Sequence, residues 1–200
     1  MLIVFEGIDG SGKNTQILML QKFLRQHKVK WKLHKYPTKK AKEAFAHLAG
    51  EKDVAPERLA DVFSQDIIAE KGKIEREISA GYVVICDRYL HSTLAYQGVA
   101  IEFDALAARL DGTGAIVPDL VAILDLPARE GAKRKRGQKT PDRFEKNAAF
   151  LEKVRENYLR MERGNFLAFK YVVVDAAQPA GRVFSEIITA VEPMVIKKIH

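Results

Sequence analysis

Five short runs in this chain read as strands: LIVFE (2–6), KWKLHKY (30–36), YVVICD (82–87), LVAILDL (120–126) and YVVVDA (171–176). Three of them are almost continuously apolar, as expected of parallel strands covered on both faces. Between them, apolar residues recur at helical spacing. Ile17, Leu20, Phe23 and Leu24 form one stripe after Lys13, and Leu59, Val62, Phe63, Ile67 and Ile74 mark a single long helix over 56–79. Further helices are expected over 103–110, 148–163 and 181–197, with Gly81, Gly112 and Pro118 as punctuation. Alternating strands and helices predict an α/β chain with a parallel sheet and right-handed crossovers. Ligands of such sheets sit beyond the carboxyl ends of the strands. That rule gathers 7–13, 36–39, 87–89 and the segment after Leu126 on one rim.

The first strand runs into EGIDGSGKNTQ (6–16), and Gly7 to Lys13 fit the phosphate-loop spacing G-x-x-x-x-G-K. Gly7, Gly10 and Gly12 permit a turn whose N–H groups face phosphate oxygens, and Lys13 can reach the β- and γ-phosphates. Gly7, Ile8, Asp9, Gly10, Ser11, Gly12, Lys13, Asn14 and Thr15 are therefore the expected ATP-binding segment. The alternative is a glycine-rich strand–helix turn with an incidental lysine. Asn14 stands where this motif asks for a hydroxyl that holds Mg²⁺. An amide oxygen is hard enough for Mg²⁺ but one atom too long for the same geometry, so contact through water is expected. Thr15 is turned about 100° away on the helix. The expectation is weakened metal affinity with the chemistry retained, and Asp87, closing the third strand, is the other metal candidate, also through water.

Two hundred residues, 47% of them apolar, fit one domain with a proper core, here taken as 1–200. No apolar run is long enough to span a bilayer, and the opening MLIVFEG lacks the pattern of a secretory signal. The single cysteine, Cys86, leaves no internal disulfide, so a cytoplasmic location without membrane partners is expected. A net charge of +7 favours an anionic partner without choosing among nucleotide, nucleic acid and lipid. Residues 128–143, AREGAKRKRGQKTPDR, concentrate seven Lys/Arg against two acidic residues. Taken alone that is a polyanion-binding patch as readily as anything else; its place after the fourth strand suggests a lid, over about 128–145, hinged at Gly137.

FEGIDGSGKNTQ, DRYLHSTLAYQG (87–98), PDLVAILDL (118–126) and DRFE (142–145), in this order, resemble the thymidylate kinase family of P-loop nucleoside monophosphate kinases. The resemblance covers nearly the whole chain and implies transfer of a phosphoryl group from ATP to dTMP with Mg²⁺. It further implies a three-layer P-loop kinase fold with strand order 2-3-1-4-5, a homodimer, and no nucleic-acid partner. It places Asp9, Tyr36, Pro37, Lys39, Phe63, Arg88, Ser92, Tyr96 and Gln97 around the dTMP. Asp9 orients the nucleotide and Arg88 forks onto the acceptor phosphate; the structural alternatives are a turn-forming Asp9 and an Arg88 ion pair. Tyr96 would crowd a ribose 2′-OH, and Phe63, by pattern a core residue, would stack on the base. Some family members carry a loop arginine at the position of Gly10 and others supply one from the lid. This chain looks like the second kind, with Lys13, Asp9, Arg88, Arg136 and Arg143 as catalytic residues and Arg134 next. Two departures stand out. Lys39 replaces an arginine, and Ile67 stands where the family commonly has a base-binding arginine, unless the helix register differs. These motivate two alternatives to dTMP phosphorylation: a monophosphate kinase with other base preference, and a non-catalytic nucleotide or polyanion binder.

Overall fold

The computed structural model describes residues 1–135, 144 and 147–196. In chain order the elements are β1 (Leu2–Glu6), α1 (Lys13–Gln26), β2 (Trp31–Lys35), α2 (Lys42–Ala49), α3 (Pro56–Ile68), α4 (Lys71–Ser79) and β3 (Val83–Asp87). There follow α5 (Leu90–Gln97), α6 (Phe103–Asp111), β4 (Leu120–Asp125), α7 (Ala128–Lys135), α8 (Ala148–Arg163), β5 (Tyr171–Asp175) and α9 (Ala180–Ile196). The strands form one sheet in the order β2-β3-β1-β4-β5, every pair parallel, as expected. All residues of β1 and β3 are buried, which requires helices over both faces of the sheet centre. The edge strands β2 and β5 are mostly half-buried or exposed. Phe5 lies opposite Asp87, so β1 and β3 deliver their last residues to the same level of the rim. Among the described residues no helix is long and apolar enough to cross a membrane.

The helix expected over 56–79 is two helices. The Glu70 N–H donates to Ile67 three residues back instead of four, which tightens the chain and breaks the α-helical ladder. The Glu70 carboxylate is held there by Lys40 (3.1 Å) and Lys73 (3.5 Å). Ile67 and Ile74, on either side of the break, are both buried, which is why the apolar stripe looked continuous. Helix α5 has no helical period because seven of its eight residues are buried and it offers no polar face.

His91, inside α5, is fully buried among Tyr89, Phe166 and Tyr171, with Nε2 3.3 Å from the Phe166 carbonyl. Burial opposes its charge and pushes its pKa down to about 4. The unfolded chain, with an imidazole near 6.5, therefore binds a proton that the folded chain refuses as pH falls from about 6.5 to 4. The native state should lose up to roughly 3 kcal/mol of stability across that window and nothing above it. Melting temperatures measured from pH 7.5 to 4 should fall on the acid side, and His91→Gln should flatten that limb. An unchanged limb in the variant would place the acid sensitivity elsewhere.

Candidate active site

The loop between β1 and α1 turns on Gly7, Gly10 and Gly12, all at positive φ. Gly10 also approaches another backbone. A Cβ there would lie 2.6 Å from the Gly131 carbonyl oxygen in α7, and one on Gly131 would lie 2.7 Å from the Asp9 carbonyl oxygen. The loop thus rests directly on the base of α7, and a side chain at position 10 has no room while that contact holds. Lys13 opens α1 with Nζ donating to the Gly7 (2.8 Å) and Ile8 (3.0 Å) carbonyls. Burial lowers its pKa to about 8, with Arg88 adding to the effect and Asp9, Asp87 and Glu6 opposing it. Around this loop lies a broad open cleft reached by every residue from Asp9 to Gln16 and by Lys35, Asp87, Arg88 and Arg134. Asn14 and Thr15 stand exposed along it at the start of α1, whereas Ser11 is buried with no partner for its hydroxyl oxygen.

Along the cleft, Asp87 Oδ2 is paired with Lys35 Nζ (3.0 Å), while its Oδ1 is buried with no hydrogen-bond partner. Among the described residues no three His, Cys, Asp or Glu side chains gather to hold a metal by themselves. One orphaned carboxylate oxygen and the Asn14 amide, both along the phosphate cleft, fit Mg²⁺ that takes its remaining ligands from phosphates and water.

The second pocket adjoins the first, with Asp9 and Arg88 in both linings. Asp9, Tyr36, Pro37, Phe63, Arg88, Ser92, Tyr96 and Gln97 line it, as the sequence suggested, and Leu48, Ile67, Tyr89, Thr93 and Phe144 complete it. Lys39 does not: it is exposed and absent from the lining, because the chain turns outward after Thr38. The Tyr36–Pro37 peptide is cis, and Asp66 of α3 fixes the next residue by accepting from the Thr38 N–H (2.6 Å) and hydroxyl (2.5 Å). Ile67, adjacent to Asp66 and 2% exposed, is part of the pocket lining. The inner end is apolar on the side of Leu48, Phe63 and Ile67, with Phe63 only half-buried. Gln97, in the same lining, is buried with its Oε1 unpartnered. Tyr96 packs edge-on against Phe144 (5.4 Å between ring centroids), which stacks on Phe150 of α8 (5.2 Å).

Asp9 and Arg88 line both cavities and are 2.9 Å apart. Arg88 sits at φ 71°, unusual for a non-glycine residue. Its Nη1 donates to Ser92 Oγ at 3.0 Å, and its guanidinium lies over the Tyr96 ring at 5.4 Å. Burial works against its charge, but Asp9 and the surrounding oxygens raise its pKa well above the usual value, so it stays protonated. The ion pair with Asp9 is present, and Arg88 also lines the pocket.

Beneath Arg88 is a residue the sequence reading passed over. Glu6 is completely buried and accepts from the Tyr89 and Ser92 amides and from the Ser92 and Tyr158 hydroxyls. A carboxylate closing an otherwise apolar strand was the available signal; Tyr158 and Asp66 carried none. Lys35, found at Asp87, was likewise read only as a strand residue.

Of the arginines expected in the lid, Arg134 reaches the phosphate cleft and donates to the Ala177 carbonyl at 3.4 Å. Arg136, Arg143 and the Gly137 hinge lie outside the described residues. Helix α7 is set from below. Arg155 clamps Asp125 at the end of β4 (2.5 and 2.9 Å) and meets Glu152 (2.6 Å), whose other oxygen accepts from the Ala128 N–H (3.0 Å). The contact between α7 and the loop yields a test. Gly131→Ala improves helix propensity by up to about 1 kcal/mol, yet its methyl meets the Asp9 carbonyl. ATP affinity measured by calorimetry should fall roughly tenfold; an unchanged value would show that α7 is free to move off the loop.

The site can be set beside known proteins. Over 99% of its length the chain is 34% identical to a probable thymidylate kinase of Thermococcus onnurineus, all of which is covered. It is 34% identical over 98% of its length to a thymidylate kinase of Thermosipho melanesiensis, covering 99% of that protein. It is 35% identical over 97% of its length to one of Desulfotalea psychrophila, covering 95% of it. The thymidylate kinase family profile matches residues 5–187. With that match over most of the chain and relatives of this identity covered over nearly their whole length, this protein belongs to the thymidylate kinase family.

Proposed function

We infer that this protein transfers the γ-phosphoryl group of ATP to dTMP, and that its two cavities divide the substrates. The observation that carries the division is the Asp9–Arg88 pair, which forms a wall of both the phosphate-loop cleft and the second pocket. A donor phosphate on the loop and an acceptor phosphate at Arg88 then meet across that pair. A phosphate oxygen of dTMP attacks the γ-phosphorus, the bond from the γ-phosphorus to its bridging oxygen breaks, and ADP leaves. The acceptor is already largely ionised near neutral pH, so no strong base is required, and catalysis consists of positioning and charge neutralisation.

The residues divide this work. Lys13 exchanges its two carbonyl partners for β- and γ-phosphate oxygens, whose charge favours its protonated form. Arg88 forks onto the acceptor phosphate, and Asp9 fixes that guanidinium. Arg134, already at the cleft, is the described lid cation best placed to meet charge developing on the transferred group. Asp87 Oδ1 and Asn14 would hold Mg²⁺, Asn14 through water; the ion, when bound, screens the phosphate charge. Tyr96 and Phe144 wall the sugar region. The base lies between Phe63 and Ile67 on one side and Gln97 on the other.

Ile67 favours a second reading, in which the chemistry is the same and the base is chosen loosely. A wall that hydrogen-bonds a substrate group discriminates far better than an apolar one. ADP formation measured with ATP, Mg²⁺ and each of dTMP, dUMP, dCMP and dGMP separates the readings. The expected result is turnover with dTMP exceeding the other three, and a preference sharpened in Ile67→Arg. Comparable rates with several bases would establish the looser enzyme, and absence of turnover with all of them would overturn both readings.

A further inference from the structure

Glu6 lines neither cavity, so it touches no substrate, yet it organises the residues behind one. Its side chain reaches from the end of β1 to the start of α5 and to Tyr158, past the middle of α8, and receives four hydrogens. Oε1 takes the Tyr89 N–H (2.7 Å) and the Ser92 N–H (3.2 Å). Oε2 takes the Ser92 hydroxyl (2.6 Å) and the Tyr158 hydroxyl (2.9 Å). Each hydroxyl has a single hydrogen, and the two oxygens also lie 2.9 Å from each other; with both hydrogens drawn to the carboxylate, the stronger acceptor, the two oxygens present lone pairs on their other side. That side faces Arg88 Nη1, 3.0 Å from Ser92 Oγ and 3.5 Å from Tyr158 Oη. The other terminal nitrogen, Nη2, is on Asp9.

We propose that Glu6 is a positioning residue for the acceptor phosphate: by fixing the direction of the Ser92 and Tyr158 hydroxyls it makes them acceptors for Arg88 and holds the guanidinium against the pocket. The proposal rests on the reading of Arg88 as the acceptor-phosphate arginine. Its logic depends on acceptor capacity and not on volume. A glutamine of the same shape must turn its oxygen to the two amides, because an NH₂ group there would oppose two donors. Its NH₂ then points at the two hydroxyl oxygens, and at least one hydroxyl hydrogen must turn toward Arg88, donor against donor. The fold keeps its packing while the support under Arg88 is inverted.

The test is Glu6→Gln, with KM for dTMP and for ATP measured separately. The expected result is a dTMP KM raised on the order of tenfold, with the ATP KM within about twofold of the parent, since Lys13 and the loop keep their own partners. A merely structural role would lower the melting temperature and the active fraction and move neither KM, and that outcome would overturn the proposal. Arg88→Lys serves as the reference. If it raises the dTMP KM and Glu6→Gln does not, the proposal alone fails; if it leaves the dTMP KM unchanged, the assignment of Arg88 fails and takes the proposal with it. Should Glu6→Gln not fold, Tyr158→Phe carries the test. Tyr158 is buried and lines neither cavity, so a roughly threefold rise in dTMP KM supports the proposal and an unchanged value overturns it.

Discussion

Two neighbouring parallel strands end at the same level, and the site hangs on what each places there. The Arg88 N–H donates to the Phe5 carbonyl at 3.0 Å, extending the β1–β3 ladder by one bond past Asp87. That bond brings the start of the phosphate loop beside Arg88 and allows the 2.9 Å pairing with Asp9. The ion pair is largely shielded, so its geometry has to be held by other hydrogen bonds if it is to persist. Ser92, Tyr158 and, below them, Glu6 supply these. The positive φ of Arg88 belongs to the same constraint. The chain leaves the strand and enters α5 within two residues, and an unusual backbone conformation is tolerated because both ends are fixed.

Each cavity is then completed from a different direction. The phosphate cleft takes its cations from the loop, from β2 and from α7: Lys13, Lys35 and Arg134. Helix α7 reaches it because Arg155 ties α8 to the end of β4 and because two glycines let its backbone touch the loop. The second pocket takes its walls from α3, α5 and the segment after β2, and Asp66 locks the last of these to the helix that carries Phe63 and Ile67. Fixed dipoles and charges prepared in this way need little rearrangement when phosphates arrive, which is where enzymes of this chemistry obtain most of their acceleration.

The sheet was legible because buried parallel strands spell near-continuous apolar runs, and the loop because its glycine spacing follows a strand and precedes an amphipathic stripe. The pocket was legible only through resemblance: Phe63 and Tyr96 look like core residues until the fold turns them toward a cavity. What escaped was set by tertiary partners. At the break after α3 Glu70 meets Lys40, thirty positions earlier, and Gly72, two residues on, was the one local signal. Lys39 fits a phosphate-binding pattern, but the turn tied to Asp66 leaves it outside. Glu6 and Tyr158 are separated by 152 residues and meet only because α8 crosses over α5. Arg136 and Arg143 fall outside the described residues, so the division of work within the lid rests on Arg134.

The central claim is that donor and acceptor phosphates approach each other across the Asp9–Arg88 pair. Binding of a ligand in which adenosine and thymidine are joined through their 5′ positions by a polyphosphate bridge tests it directly. The account predicts one ligand per chain, bound more tightly than either nucleotide, displaced by ATP and by dTMP alike, and weakened by Arg88→Ala. Displacement by only one of the two nucleotides, or two ligands per chain, would mean that the cavities do not meet at that pair.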